Sequence, residues 1–215
     1  MTNDVILVDY GVGNLLSVAR ALEACGANVV LTDNRSKIAA ADRIVLPGVG
    51  AIGDCLNELR RRDLIEPVLE FAHSGRPMLG ICVGMQVLLE VGEEFGEHTA
   101  FGLIKGRVKA IPATTSQGER HKIPHIGWTS IAPPQSRESW KGTVLEKIEP
   151  GSTCYFVHSY TAVCDDPDNL LAVSDYNGRQ VTAAVQTGRV FGVQFHPEKS
   201  GKTGLQIIST FLEMS

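Results

Sequence analysis

Four short apolar runs in the first half of the chain each end at a turn and hand over to a helical pattern, and this alternation constrains the fold more than any other feature. Val5–Val8 reads as a buried strand, followed by an amphipathic helix over Asn14–Cys25 that an Asn cap opens and Gly26 closes. Asn28–Thr32 and Arg43–Leu46 are the second and third strands, the latter stopped by Pro47-Gly48. Helical periodicity runs from Ile52 to His73 with an interruption expected at Pro67, Met78–Ile81 is a fourth strand, and Gly84–Val91 starts a further helix. Parallel strands need long crossovers, and helices supply them. Alternation at this spacing therefore predicts an open, mainly parallel twisted sheet with helices on both faces, an α/β fold.

The second half changes style. Lys105–Ile111, His125–Ile131 and Cys154–His158 read as strands separated by turns. Leu170–Ser174, Gln180–Val185 and Arg189–Phe195 form an antiparallel C-terminal meander, with hairpin residues at Asn177-Gly178 and Thr187-Gly188. A last helix covers about Thr203–Leu212, and Thr114–Lys122 is a polar loop. With 215 residues, 43% of them hydrophobic, and no linker or repeat, the expectation is a single domain over 1–215. A net charge of −4 asks for neither nucleic acid nor an anionic membrane as partner, and the apolar runs are too short to cross a bilayer. The N-terminus lacks a basic leader. The five cysteines, Cys25, Cys55, Cys82, Cys154 and Cys164, show neither CxxC spacing nor an accompanying His cluster. That argues against disulfides or a metal site and for a reducing, cytoplasmic compartment.

One of those cysteines stands apart. Gly80-Ile81-Cys82-Val83-Gly84 follows an apolar strand and precedes a helix, the cysteine form of a nucleophile elbow. The glycines admit a tight turn that lifts the sulfur to the carboxyl edge of the sheet, the helix N-terminus favours thiolate, and the Val83 N–H is aimed where an oxyanion forms. Phe195-His196-Pro197-Glu198 ends the meander. Alternation along an extended chain puts His196 and Glu198 on one side, so that one imidazole nitrogen takes the thiol proton while the other donates to the carboxylate. The Gly-rich turn Leu46-Pro47-Gly48-Val49-Gly50-Ala51 is suited to bring a second oxyanion donor. Asp9-Tyr10-Gly11-Val12-Gly13-Asn14, with Asp33 after the second strand, competes as a partial dinucleotide fingerprint, but Leu16 fills the position of its third glycine.

Gly-Ile-Cys-Val-Gly-Met-Gln at 80–86, Phe-His-Pro-Glu at 195–198 and the Gly-rich turn together resemble the class I (triad-type) glutamine amidotransferases over nearly the whole chain. Within the family, residues 9–14, Pro47–Gly50, Met85, residues 124–128, residues 155–160 and Lys199-Ser200 are most similar to the glutaminase component of imidazole glycerol phosphate synthase. Thr129 stands where that pattern usually has Asn, and Val83 where Leu is common. The resemblance implies a flavodoxin-like sheet. It implies that Cys82 attacks the carboxamide of glutamine, that His196 oriented by Glu198 moves the proton, and that Gly48, Val49, Gly50, Val83, Gln86, Ser159 and Tyr160 hold the substrate. It implies no cofactor and no metal. It further implies a (β/α)₈-barrel cyclase as heterodimer partner, facing Tyr10, Asn14, Trp128, Tyr155 and Lys199 and receiving the ammonia.

Glutaminases serving other synthases usually carry His at the position of Met85 or a Gly-Gly-Glu-Ser loop in place of Pro47–Gly50, which argues against them here. A non-catalytic binding subunit has no need of all three triad residues. A cysteine peptidase of similar fold has no need of Gln86 and Ser159-Tyr160.

Overall fold

The computed structural model describes residues 4–214; the absence of a basic leader read at the N-terminus lies at residues 1–3, outside them. Strands β1 (Asp4–Val8), β2 (Asn28–Thr32), β3 (Ile44–Leu46) and β4 (Met78–Ile81) form at the four apolar runs. They pair in parallel, β1 with β2 and β3, and β3 with β4. Every residue of β3 and β4 is buried, as expected of central parallel strands covered on both faces. Helices α1 (Leu15–Ala24), α2 (Arg35–Ala40), α3 (Ile52–Arg61) and α4 (Ile65–His73) make the crossovers.

Three local expectations are corrected here. Asn14 caps α1 through its carbonyl, which accepts from the Val18 N–H, and not through its side chain; Gly26 closes the helix at φ 87°. Pro67 does not break the helical stretch. It lies in the first turn of α4, where backbone N–H groups have no intrahelical partner anyway, and the break comes at Asp63 with φ 53°. Helix α2 was not expected: six residues are too few for periodicity, although Asn34 caps it by accepting from the Lys37 N–H at 3.0 Å.

After β4 the expected long helix is a single turn, α5 (Val83–Gln86), and the chain passes into β5 (Leu89–Gly92). Val87, Leu88 and Leu89 are wholly buried, and a short apolar run of that kind suits a buried helix and a buried strand equally. Val87 and Leu88 form the turn after α5, and pairing of Leu89, Val91 and Gly92 with β7 (Ile104–Ala110) makes the strand. A second sheet of order β10-β7-β5-β6 results, completed by β6 (His98–Thr99) and β10 (Tyr160–Cys164). β8 (His125–Ser130) and β9 (Thr153–His158) form a two-stranded ribbon.

The meander is β11 (Leu170–Tyr176), β12 (Arg179–Thr187) and β13 (Val190–Val193). Asn177 and Gly178 join β11 to β12 with φ 54° and 77°, the signs a tight hairpin turn requires. β13 runs antiparallel to β12 but parallel to β4, which fuses the meander to the first half in one seven-stranded sheet, β11-β12-β13-β4-β3-β1-β2. The last helix, α6 (Gly201–Glu213), packs on α1, while α2 packs on α4. Among the described residues, no helix is long and apolar enough to cross a membrane.

Candidate active site

The carboxyl ends of β3, β4 and β13 converge on one point. β4 and β13 pair in the register Ile81↔Val193, and the Cys82 N–H donates to the Val193 carbonyl at 2.8 Å. Cys82 stands between β4 and α5 with φ 56° and ψ −112°, a backbone region that costs an L-residue free energy and that the surroundings must impose. They impose it by backbone contact. A Cβ on Gly84 would lie 1.9 Å from the Leu46 carbonyl oxygen, and one on Gly80 would lie 2.4 Å from the Gly84 oxygen. Only glycine at both positions lets the elbow close onto β3.

His196 follows the meander, and its Nδ1 lies 2.8 Å from Glu198 Oε1. The expected route was alternation along an extended strand. The observed route is a single 3₁₀ turn, Pro197–Lys199, whose start proline ends the ladder and whose curl brings Glu198 back under the imidazole. The Glu198 side chain is 0% exposed, and a buried carboxyl group needs a hydrogen-bond partner. Because Nδ1 faces that carboxylate it carries the proton, which leaves Nε2 for the thiol. Burial on its own would lower the His196 pKa. Hydrogen bonds to the Cys82 thiol and to Glu198 outweigh it and raise the value to about 9.

A cleft of about 420 Å³ opens over the sulfur, lined among others by Val49, Gly50, Cys82, Val83, Gln86, Glu94, His158, Ser159 and Tyr160. Of the residues the resemblance named as holding substrate, the cleft brings together Val49, Gly50, Val83, Gln86, Ser159 and Tyr160, while Gly48 is not among its lining residues. The oxyanion donors stand differently from expectation. The Val83 N–H is occupied, donating to the Gly48 carbonyl at 3.3 Å. Either side of that peptide is pinned: Tyr10 Oη donates to the Pro47 carbonyl at 2.5 Å, and the Cys55 thiol donates to the Val49 carbonyl at 3.4 Å.

Gln86 is buried, not solvated. Its Nε2 donates to the Tyr160 carbonyl at 3.4 Å and to Gln194 Oε1 at 3.1 Å, and Gln194 Nε2 donates to Cys82 Sγ at 3.7 Å. His158 Nδ1 also reaches the Tyr160 carbonyl, at 2.9 Å, and its Nε2 lies 3.0 Å from His125 Nδ1. Burial lowers the pKa of both histidines to about 4, so both are neutral; the positive potential of His121 adds to the shift at His125, while the Tyr160 carbonyl opposes it at His158.

Of the residues expected to face a partner, Trp128 is 56% exposed, Lys199 is exposed, and Tyr155 and Asn14 are half-buried. Trp128, Tyr155 and Lys199 form one cluster, with ring centroids 6.0 Å apart and the ammonium 5.9 Å from the Tyr155 ring. Tyr10 is a correction: it is 0% exposed and faces inward to Pro47, so its phenol holds a loop and cannot meet a partner. The dinucleotide reading also fails locally, since Arg62 pairs with Asp33 at 3.2 Å and its guanidinium fills the space over Gly11.

Sequence reasoning missed Gln194, Glu94 and His158. Gln194 was detectable only given the β4–β13 register, which sets it beside Cys82. Glu94 carries no motif; it lines the cleft while its Oε2 accepts from the Ile52 N–H at 3.0 Å.

The family model for glutamine amidotransferase class-I matches residues 6–214. The chain is 46% identical over 212 residues to a Legionella pneumophila (strain Lens) protein named imidazole glycerol phosphate synthase subunit HisH 1, covering 99% of this chain and 100% of that one. It is 42% identical over 211 residues to a Syntrophotalea carbinolica protein named imidazole glycerol phosphate synthase subunit HisH, covering 98% and 100%. Among solved structures, PurLQS from Thermotoga maritima is similar in fold, with a TM-score of 0.70 at 24% identity over 99% of this chain and 98% of that one.

Proposed function

We propose a function from one premise: the chain belongs to the class I glutamine amidotransferase family. It is the glutaminase subunit of imidazole glycerol phosphate synthase, acting in histidine biosynthesis. The observation that carries this reading is the His196 imidazole, whose Nδ1 is held by buried Glu198 and whose other face meets the Cys82 thiol in a cleft beside Gln86 and Glu94. The names of the relatives support the choice of synthase.

In the proposed reaction His196 Nε2 holds the proton drawn from Cys82, and the thiolate attacks the carboxamide carbon of glutamine. Collapse of the tetrahedral adduct breaks the C–N bond, and His196 returns the proton to the departing ammonia. Water, deprotonated by His196, then cleaves the glutamyl thioester to give glutamate and free thiol. Gln86, Ser159 and Tyr160 hold the substrate, and Glu94, the one carboxylate among the described residues lining the cleft, suits its α-ammonium group. Val83 and Val49 supply the oxyanion donors once the Gly48–Val49 peptide turns over, with Gly48 and Gly50 as its pivots.

The partner in this reading is a (β/α)₈-barrel cyclase that docks on the face carrying Trp128, Tyr155, Lys199 and Asn14. It receives ammonia through its interior, sheltered from protonation in bulk water, and uses it to make imidazole glycerol phosphate and an aminoimidazole carboxamide ribonucleotide. The five free cysteines suit a cytoplasmic setting.

The test is glutamate release and imidazole glycerol phosphate formation by the chain with and without its cyclase, driven by glutamine or by ammonium salt. His196→Ala is expected to abolish the glutamine-driven synthesis and to leave the ammonia-driven one intact. Failure of wild type to support glutamine-driven synthesis with the cyclase overturns the assignment.

A further inference from the structure

Cys82 Sγ has a neighbour that the triad does not use. Gln194 is 0% exposed, and the Ile81↔Val193 register places it directly alongside the nucleophile. Its backbone N–H is engaged by the Ala183 carbonyl at 2.8 Å, so the main chain is fixed and only the carboxamide is available to the site.

A carboxamide can present either an acceptor or a donor to a sulfur, and these have opposite effects on a thiolate. The way round is settled by a chain of partners. The Tyr160 carbonyl can only accept, so the Gln86 atom 3.4 Å away is the amide nitrogen. That nitrogen also lies 3.1 Å from Gln194, which must then offer its oxygen there. The remaining Gln194 nitrogen faces Cys82 Sγ at 3.7 Å. The Tyr160 carbonyl is itself held by His158 Nδ1 at 2.9 Å, a nitrogen that must donate to it.

We propose that Gln194 is a positioning residue for the nucleophile: its buried carboxamide supplies an N–H donor to the Cys82 thiolate, and Gln86, anchored on the Tyr160 carbonyl, keeps the carboxamide that way round. The bond strengthens as negative charge gathers on sulfur and weakens in the thioester, where that charge is spent. It therefore favours the thiolate before attack and again as the leaving group when the thioester is hydrolysed. Gln86 has two roles in consequence, one toward substrate and one through Gln194. The inference rests on the glutaminase reading for its link to turnover, but not for the state of the sulfur.

The titratable groups facing that sulfur are His196 with Glu198 behind it, Cys55 and Tyr10 on the Gly48 side, and Glu94 and His158 across the cleft. None is altered in the following variants. The pH dependence of Cys82 alkylation by iodoacetamide is measured by peptide mass spectrometry, which separates it from the other four cysteines. It is compared in wild type, Gln194→Met, Gln194→Glu, Gln86→Met and the Gln86→Met/Gln194→Met double variant, each checked for native circular dichroism.

Gln194→Met is expected to raise the midpoint by about one pH unit, a tenfold loss of thiolate at a given pH below it, and Gln194→Glu by more. Gln86→Met raises it alone but adds nothing in the Gln194→Met background, the non-additivity that action through Gln194 requires. With glutamine, kcat falls in Gln194→Met while KM stays within about twofold. Equal midpoints in wild type and both Gln194 variants overturn the proposal even if glutaminase activity is confirmed. Additive shifts for the two methionine substitutions overturn the role given to Gln86. If Gln194→Met does not fold, Gln194→Glu and Gln86→Met decide the matter by the same midpoints. Absence of glutaminase activity with shifted midpoints overturns the proposed function and leaves the thiolate donor standing.

Discussion

The Gly48 carbonyl accepts a 3.3 Å hydrogen bond from the Val83 N–H, so one backbone donor beside the nucleophile is satisfied by the very loop expected to bring the other. Turning the Gly48–Val49 peptide over frees the Val83 N–H and points the Val49 N–H inward. Tyr10 and Cys55 pin the peptides on either side, which confines the motion to this one. Under the proposed function the free chain is therefore expected to be a poor glutaminase, accelerated when the proposed cyclase binds its nucleotide. One oxyanion donor is worth roughly 3 kcal/mol, or about a hundredfold. Val49→Pro has no N–H to bring in, and its ligand-stimulated rate should fall to the basal rate. Equal turnover for the free chain, the empty complex and the liganded complex refutes the switch.

Substitution of Cys82 separates chemistry from strain. Cys82→Ala should lose glutamine hydrolysis by several orders of magnitude and remain folded. Cys82→Gly should be equally inactive yet more stable than Cys82→Ala, because glycine relieves a φ of 56°. Relief of about 1 kcal/mol corresponds to a melting point about 2–4 °C higher in a chain of this size. A Cys82→Gly protein melting below Cys82→Ala contradicts the strain assigned to the elbow.

Two glycines test the steric account. Gly84→Ala drives a Cβ to within 1.9 Å of the Leu46 carbonyl oxygen, a clash with backbone that no rotamer relieves. It should cost about 3 kcal/mol or more, or prevent soluble expression. Gly26→Ala meets nothing within 4 Å and bears only the strain of φ 87°, so its cost should be near 1 kcal/mol. Urea unfolding of the two variants is the measurement, and similar costs would refute the contact at Gly84.

The histidines shape stability against pH from both sides. His125 and His158 titrate near 4 in the folded protein against 6.5 unfolded, so their contribution is present above pH 6.5 and is lost as pH falls toward 4. His196, raised to about 9, contributes fully below pH 6.5, and that contribution is lost as pH rises through 9. Urea midpoints measured from pH 4 to 9.5 should therefore peak near 6.5. Glu198→Gln should flatten the alkaline limb and spare the acid one.

Where the candidate site depends on local context, its geometry was readable in the sequence. The elbow and the His196–Glu198 pair announce themselves by glycine offsets and by the proline between the pair, and the four parallel strands by their apolar runs. What depends on partners distant in sequence was not. Leu89–Gly92 became a strand because β7 was available, and Gln194 acquired its place from a register no local pattern encodes. Tyr10 was misread because its motif carries no sign of which member turns inward, and its phenol found the Pro47 carbonyl. His196 and Glu198 met by a turn and not by alternation, which shows that spacing two apart allows more than one geometry.

The register that seats β13 against β4 joins in space what synthesis separates in time. Cys82 leaves the ribosome 112 residues ahead of Gln194. At usual elongation rates that is an interval on the order of 10 s. Throughout it the nascent chain holds a thiol with neither base nor amide donor beside it, and the edge of β4 that β13 pairs in the folded protein is open. Arrival of β13 closes that edge and arms the sulfur in the same event. Under the proposed mechanism a half-made chain carries the nucleophile but no means of drawing its proton, so ammonia production begins only once the sheet is whole.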